Sequence, residues 1–249
     1  MANLMQIYYT SRTHSQLTQF ISELRRPEFP PSLPDELLKS KSVGQVTTKE
    51  VIKEVPLSSR QKLCINPAVS RLGSLAAIND RCTEMQQSKS DKKCPHMPNT
   101  DNLKQTHQFR DTALATIPDI EDMHRIGKEL QICPYYASRT AIPTAEVVTL
   151  PYPLLLQKSA REALGIKLEG NIVIIDEAHN IMDAVANVYA AEIRLSELKR
   201  ARQMLGVYVK RFGKKLKEEN RVMVAQVAKV VDSLSEWLLG ALKEKVGFS

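Results

Sequence analysis

The chain has 249 residues, 43% of them apolar and 25% charged, and a formal net charge of +7. That length and apolar share suit one large or two small packed domains and exclude a disordered tail. No basic segment leads into an apolar run at the start, and no stretch of about 18 apolar residues occurs, so neither a secretory signal nor a membrane span is expected.

Gln6–Thr10 reads as a short strand, rich in aromatic and β-branched residues, that runs into Ser11, Arg12, Thr13 and His14. A helix should follow. Thr13 and Gln16 have capping-box spacing, and Leu17, Phe20, Ile21 and Leu24 repeat at the three-and-four interval of one buried stripe. A strand that ends in a polar turn opening a helix is where open α/β sheets place their ligands. Prolines at 27, 30, 31 and 34 then predict an irregular surface loop over 27–42.

Val51–Val55 is a second candidate strand, followed by Ser58, Ser59, Arg60 and Gln61. Between Cys64 and Cys133 the pattern weakens, which favours a lobe stapled by metal over one held by apolar burial. Glu146–Leu150 reads as a strand and Leu154–Leu164 as a helix stopped by Gly165. Asn171–Ile175 is a continuous apolar run of the kind found in a strand buried on both faces, and it delivers Asp176, Glu177, Ala178 and His179 to its C-terminal end. Ser196 is the expected N-cap of a helix with the stripe Leu198, Ala201, Leu205, Tyr208 and Phe212, stopped by Gly213; a second stripe runs from Val227 through Trp237 to Ala241. From Arg194 onward 13 Lys and Arg face 6 Asp and Glu, so the whole excess charge lies in this last stretch. It is either a solvated helical face or an electrostatic footprint for a phosphate backbone.

Two constellations carry chemistry. A buried strand ending in Asp-Glu is the second half of a nucleotide-hydrolysis arrangement: Asp176 would hold Mg²⁺, Glu177 would activate the attacking water, and His179 could bond across a cleft. No Gly-Lys-Ser or Gly-Lys-Thr phosphate loop occurs in the 249 residues. The second constellation is Cys64, Cys82, Cys94 and Cys133, separated by 17, 11 and 38 residues with no Cys-x-x-Cys knuckle. Cys94 and Cys133 precede prolines, a feature seen beside iron-sulfur ligands. Spacing leaves three readings open: a [4Fe-4S] cluster, a zinc site recruiting His96 or His107, and unligated thiols.

The segments YYTSRTHSQLTQF, LSSRQKLC, ICPYYASR, EVVTLPYPLLL and IVIIDEAHNI, in that order, resemble the XPD-like iron-sulfur superfamily 2 DNA helicases. THSQL together with LGSLAAINDRC looks closest to the chromosome-loss (CHL) helicases. The resemblance implies an α/β, RecA-like first motor domain with a parallel sheet, interrupted by an iron-sulfur lobe and followed by the start of a helical arch. The implied boundaries are 1–57 and 141–190 for the motor, 58–140 for the lobe and 191–249 for the arch. It also implies that Ser11, Arg12 and Thr13 contact single-stranded DNA, with Arg60 and Lys62 meeting DNA phosphate. The four cysteines would hold the [4Fe-4S] cluster, Asp176 and Glu177 would serve Mg²⁺ and water, and His179 would couple nucleotide state to a neighbouring domain. The expected activity is ATP-dependent 5′ to 3′ translocation on single-stranded DNA and unwinding of forked DNA in replication, repair and sister-chromatid cohesion. The expected location is the nucleus, with cohesion or replication proteins as partners.

Family members carry the phosphate loop upstream of the SRT turn and a second motor domain beyond the arch. The expectation is therefore that this chain alone binds ATP weakly or not at all, does not hydrolyse it appreciably and does not unwind DNA. The rival expectation is a nucleotide-independent DNA- or protein-binding module stabilised by a metal site.

Overall fold

A computed structural model describes residues 5–30, 49–87, 93–188 and 190–246. Four strands, β1 (Ile7–Ser11), β2 (Glu54–Pro56), β3 (Val147–Pro151) and β4 (Ile172–Ile175), form one parallel sheet in the order β2-β3-β1-β4. Parallel neighbours need long crossovers. Tyr8 of β1 accordingly pairs with Val148 on one side and Val173 on the other.

Local sequence sets the first crossover. The Thr13 side chain accepts from the Gln16 N–H while the Gln16 side chain accepts from the Thr13 N–H at 3.1 Å, a reciprocal cap that starts the helix His14–Leu24 at the end of β1. Leu17 and Ile21 of that helix are buried. The expected strand at Val51–Val55 is shorter and later, Glu54–Pro56, the residues that stand in register with Val147–Thr149 of β3. The predicted helix Leu154–Leu164 is broken into Tyr152–Leu156 and Lys158–Leu164 by extended backbone at Gln157 (ψ 116°), while Gly165 closes it in the left-handed conformation, φ +68°. Most of the proline-rich loop expected over 27–42 lies outside the described residues.

Two expectations need correction. The stretch between Cys64 and Cys133 is more ordered than its composition suggested: the helices Leu103–Thr116 and Ile120–Leu130 insert Phe109, Ala113, Met123 and Ile126 into the same core as Tyr8, Val55 and Val148. Fully enclosed side chains such as Phe109 and Met123 stabilise by roughly 2 kcal/mol each, so apolar burial contributes to holding this half together. Only the piece holding the first three cysteines has a minor core of its own, Val69, Ile78 and Met85. The second correction concerns β4. Its apolar run promised burial on both faces, yet among the described residues β4 is the edge of the sheet and Ile172, Val173 and Ile174 are 41%, 36% and 42% exposed.

The described residues separate into two compact units, Met1–Val188 and Tyr189–Ser249. In the second, the helices Leu195–Phe212 and Glu218–Val246 pack together, with Arg202 Nε donating to both carboxylate oxygens of Asp232 at 2.8 and 2.9 Å. Its first helix is capped at Arg194, two residues before the expected Ser196, where the Glu197 side chain accepts from the Arg194 N–H at 3.0 Å. Trp237, expected on the buried stripe, is 69% exposed. Among the described residues no helix is long and apolar enough to cross a membrane.

Candidate functional site

The parallel pairing of β1 with β4 brings the two polar turns that follow them side by side at the C-terminal edge of the sheet. The Asp176 N–H donates to Thr10 O at 2.9 Å, extending the ladder one residue past β4. Glu177 then turns sharply, with φ +51° and ψ +45°, a left-handed conformation that costs a side chain about 1 kcal/mol or more. Tyr152, buried beneath, fixes that turn: its hydroxyl donates to the Asp176 carbonyl and to the Glu177 carbonyl, the latter at 3.0 Å. The strained residue is the one expected to activate water, which is where such strain concentrates.

Asp176 is half-buried and Glu177 and His179 are exposed. The Tyr9 hydroxyl lies near the Asp176 carboxylate. Burial, and then the negative charge of Asp176, push the Tyr9 hydroxyl up to about 12, so it stays a donor at any ordinary pH. Stacking on Phe20, with ring centroids 3.7 Å apart, sets the Tyr9 ring. His179 Nδ1 lies 3.3 Å from Glu177 Oε2, and its Nε2 lies 3.0 Å from Asn180 Nδ2. Asn180 Oδ1 in turn accepts from the Arg12 guanidinium at 2.9 Å. A continuous polar chain therefore runs Arg12, Asn180, His179, Glu177.

Of the three residues in the SRT turn, only Arg12 and Thr13 are exposed. Ser11 is fully buried and its hydroxyl donates to Gln16 Oε1 at 2.7 Å; Thr13 is the helix cap. Lys62 is exposed and lies near enough to His14 to help burial lower the His14 pKa. Arg60 is committed within the chain. It donates to Tyr136 Oη at 2.9 Å and Asn79 Oδ1 at 3.3 Å, and its guanidinium lies over the Tyr135 ring at 4.6 Å.

Cys64, Cys82, Cys94 and Cys133 line one small cavity, together with apolar side chains such as Val69, Met85 and Met97 and the polar ones of Asn66, Gln86, His96 and Tyr136. Each comes from a different device. Cys64 ends the helix Arg60–Leu63, Cys82 lies on Leu75–Glu84, Cys94 sits in a turn, and Cys133 precedes Pro134 at the start of Pro134–Ala137. The Cys133 N–H donates to His96 O at 2.7 Å, tying the turn that carries Cys94 to the last cysteine. Gly127 lets this loop close, since a Cβ there would sit 2.2 Å from Pro134 Cγ and 2.9 Å from Ile132 O. Burial pushes the Cys133 thiol up to about 12, and pushes Cys64 up as well.

Among the described residues no three of His, Cys, Asp and Glu converge tightly enough to ligate one ion. The four cysteines share one cavity. A lone zinc draws four sulfurs to about 2.3 Å from one point, whereas a cube gives each sulfur its own iron and needs them further apart. The all-sulfur donors with no carboxylate among the lining residues suit a soft metal or an iron-sulfur centre. His96 lines this cavity and His107 does not.

Sequence reasoning missed Tyr9, Tyr152 and Asn180. Asn180 follows His179 directly and was visible in IVIIDEAHN, but the role of the two tyrosines depends on strand order, which no local pattern reveals.

Comparison with known proteins places this geometry. The chain is 67% identical over 236 residues to the ATP-dependent DNA helicase chl1 of Neurospora crassa, covering 94% of this chain and 22% of the relative. It is 57% identical over 220 residues to the ATP-dependent DNA helicase CHL1 of Sclerotinia sclerotiorum, covering 87% of this chain and 24% of the relative. The chain thus spans about a quarter of the length of these relatives. A solved structure named XPD_Helicase shares the fold, with a TM-score of 0.50 and 16% identity over 90% of this chain and 32% of that one. The sequence pattern of the DEAD_2 family matches residues 9–198, and the chain belongs to that family.

Proposed function

We propose that this chain forms the magnesium-, base- and cluster-bearing part of an ATP-dependent DNA helicase that moves 5′ to 3′ on single-stranded DNA and opens duplex. Its setting is the nucleus, in replication, repair and sister-chromatid cohesion, with cohesion or replication proteins as partners. The observation that carries this reading is the adjacency of the turns after β1 and β4, joined through Arg12 and Asn180. A group that can meet a DNA phosphate is thereby hydrogen-bonded, through two side chains, to the carboxylate that would activate water. The names of the chl1 relatives support the same reading.

In this reading Asp176 would hold Mg²⁺ beside the phosphates of ATP, with the Tyr9 hydroxyl close to its carboxylate. Glu177 orients or deprotonates the attacking water from its left-handed turn. His179 and Asn180 relay the position of Arg12, while Ser11 and Thr13 shape the turn and Lys62 adds positive charge nearby. Cys64, Cys82, Cys94 and Cys133 would hold a [4Fe-4S] cluster, which when bound supplies a clamp across a piece of chain whose own core is three residues.

The test is DNA-stimulated ATP hydrolysis and fork unwinding by the full-length gene product and its Glu177→Gln variant. Unwinding by the parent, lost in the variant with ATP binding retained, is expected. The excess of positive charge after Arg194 favours a second reading, a nucleotide-independent DNA-binding module. That reading wins if single-strand affinity falls steeply with salt but is the same with and without nucleotide, and the parent unwinds nothing.

A further inference from the structure

Two of the four cysteine sulfurs face side-chain amides. Gln86, four residues after Cys82 on the same turn of chain, places Nε2 3.3 Å from Cys82 Sγ, 3.0 Å from Cys82 O and 2.7 Å from Tyr136 Oη. An amide nitrogen carries two hydrogens, so three acceptors must share them and the amide is held between its own helix and Tyr136. The Tyr136 hydroxyl is itself fixed by the Arg60 guanidinium at 2.9 Å. Asn66, 7% exposed, places Nδ2 3.4 Å from Cys94 Sγ. Its orientation is not arbitrary, because Oδ1 accepts from the Ala68 N–H at 3.0 Å and so leaves the nitrogen toward the sulfur.

We propose that Gln86 and Asn66 are positioning residues for the cluster: N–H···S donors that orient the Cys82 and Cys94 sulfurs, stabilise their negative charge, raise the reduction potential and slow loss of iron. The inference rests on the iron-sulfur reading above. A ligating sulfur must be a thiolate, and beside the cysteines the polar side chains lining the cavity are Asn66, Gln86, His96 and Tyr136, of which the two amides lie within reach of sulfur and replace donors that water would have offered. Such bonds strengthen as sulfur gains electron density, so they favour the reduced cluster over the oxidised one.

The test uses the whole chain purified without oxygen, with iron and acid-labile sulfide content, reduction potential by spectroelectrochemical titration, and iron release to a chelator as readouts. Gln86→Leu removes one donor. Asn66→Ser keeps a capping oxygen but is too short to reach Cys94. Each is expected to retain a cluster with a more negative potential and several-fold faster iron release. Tyr136→Phe, which frees Gln86, should shift the potential the same way by less, and should add nothing in the Gln86→Leu background. If Gln86→Leu cannot assemble a cluster, the smaller shift in Tyr136→Phe decides the matter. Variants with full iron and sulfide, the parental potential and the parental release rate overturn this inference alone. A parent chain holding zinc, or no iron and sulfide, overturns the iron-sulfur reading and this inference with it.

Discussion

The Arg12 guanidinium donates to Asn180 Oδ1 at 2.9 Å across 168 residues of sequence, and Asn180 touches His179, which pairs with Glu177. On the proposed reading, a phosphate competing for Arg12 would leave Asn180 without that partner and free the carboxylate beyond His179 to move. Asn180→Leu in the full-length protein should therefore lower DNA-stimulated hydrolysis by roughly ten- to a hundredfold, with basal hydrolysis and nucleotide affinity much less affected. Steady-state ATPase assays with and without single-stranded DNA read this directly. An equal loss in both would show that Asn180 only supports the fold.

Glu177 combines a proposed chemical role with an unfavourable backbone. Glu177→Gln keeps the shape and removes the base, so hydrolysis should fall by about a hundredfold or more with ATP binding retained. Glu177→Gly should abolish hydrolysis equally but leave the fold as stable as before or slightly more so, because glycine adopts φ +51° without penalty. Chemical denaturation beside the activity assay separates the two effects.

Glu54 is wholly buried on β2. One carboxylate oxygen accepts from the Thr149 hydroxyl at 2.8 Å and the other has no partner. Burial raises its pKa well above the ordinary carboxylate value, with the Thr149 bond opposing. Because the folded pKa exceeds the unfolded one, the penalty is absent below the unfolded value and grows as pH rises through the folded one. Glu54→Gln should match the parent in acid and be more stable near neutral pH, by on the order of 1 kcal/mol or more. Urea midpoints across pH measure it; a constant difference at every pH would contradict the assignment.

Gly127 and Gly206 should respond oppositely to alanine. At Gly127 the added carbon meets Pro134 and the Ile132 carbonyl, so Gly127→Ala should cost about 1–3 kcal/mol and displace Cys133, lowering iron content. At Gly206, inside the helix Leu195–Phe212, nothing lies within 4 Å, and Gly206→Ala should stabilise by about 0.5–1 kcal/mol. Thermal melts of both variants, with iron analysis of the first, test the contrast.

The elements with strong local signals were legible in the sequence. The Thr13–Gln16 cap, the strands at both turns and the Gly165 stop all follow from chemistry within a few residues. What sequence could not supply was order across the sheet. Nothing near Ile172 says that β4 lies at the edge, and nothing near Tyr152 says that its hydroxyl ends beneath the Asp176–Glu177 turn. The helix Leu103–Thr116 was underrated because its few buried residues include a threonine, whereas Ile120–Leu130 carried a legible signal that was passed over, the Asp119–Asp122 cap and the stripe Ile120, Met123 and Ile126. Arg60 read as a free cation, although two tyrosines 75 and 76 residues later occupy its guanidinium.

The bare flank of β4 has a practical meaning for anyone handling this polypeptide. Three consecutive aliphatic side chains beside a row of backbone groups open to pairing form a template on which a second molecule can lay its own strand. Concentrated solutions should drift toward soluble aggregates, and placing a lysine at Val173 should slow that drift.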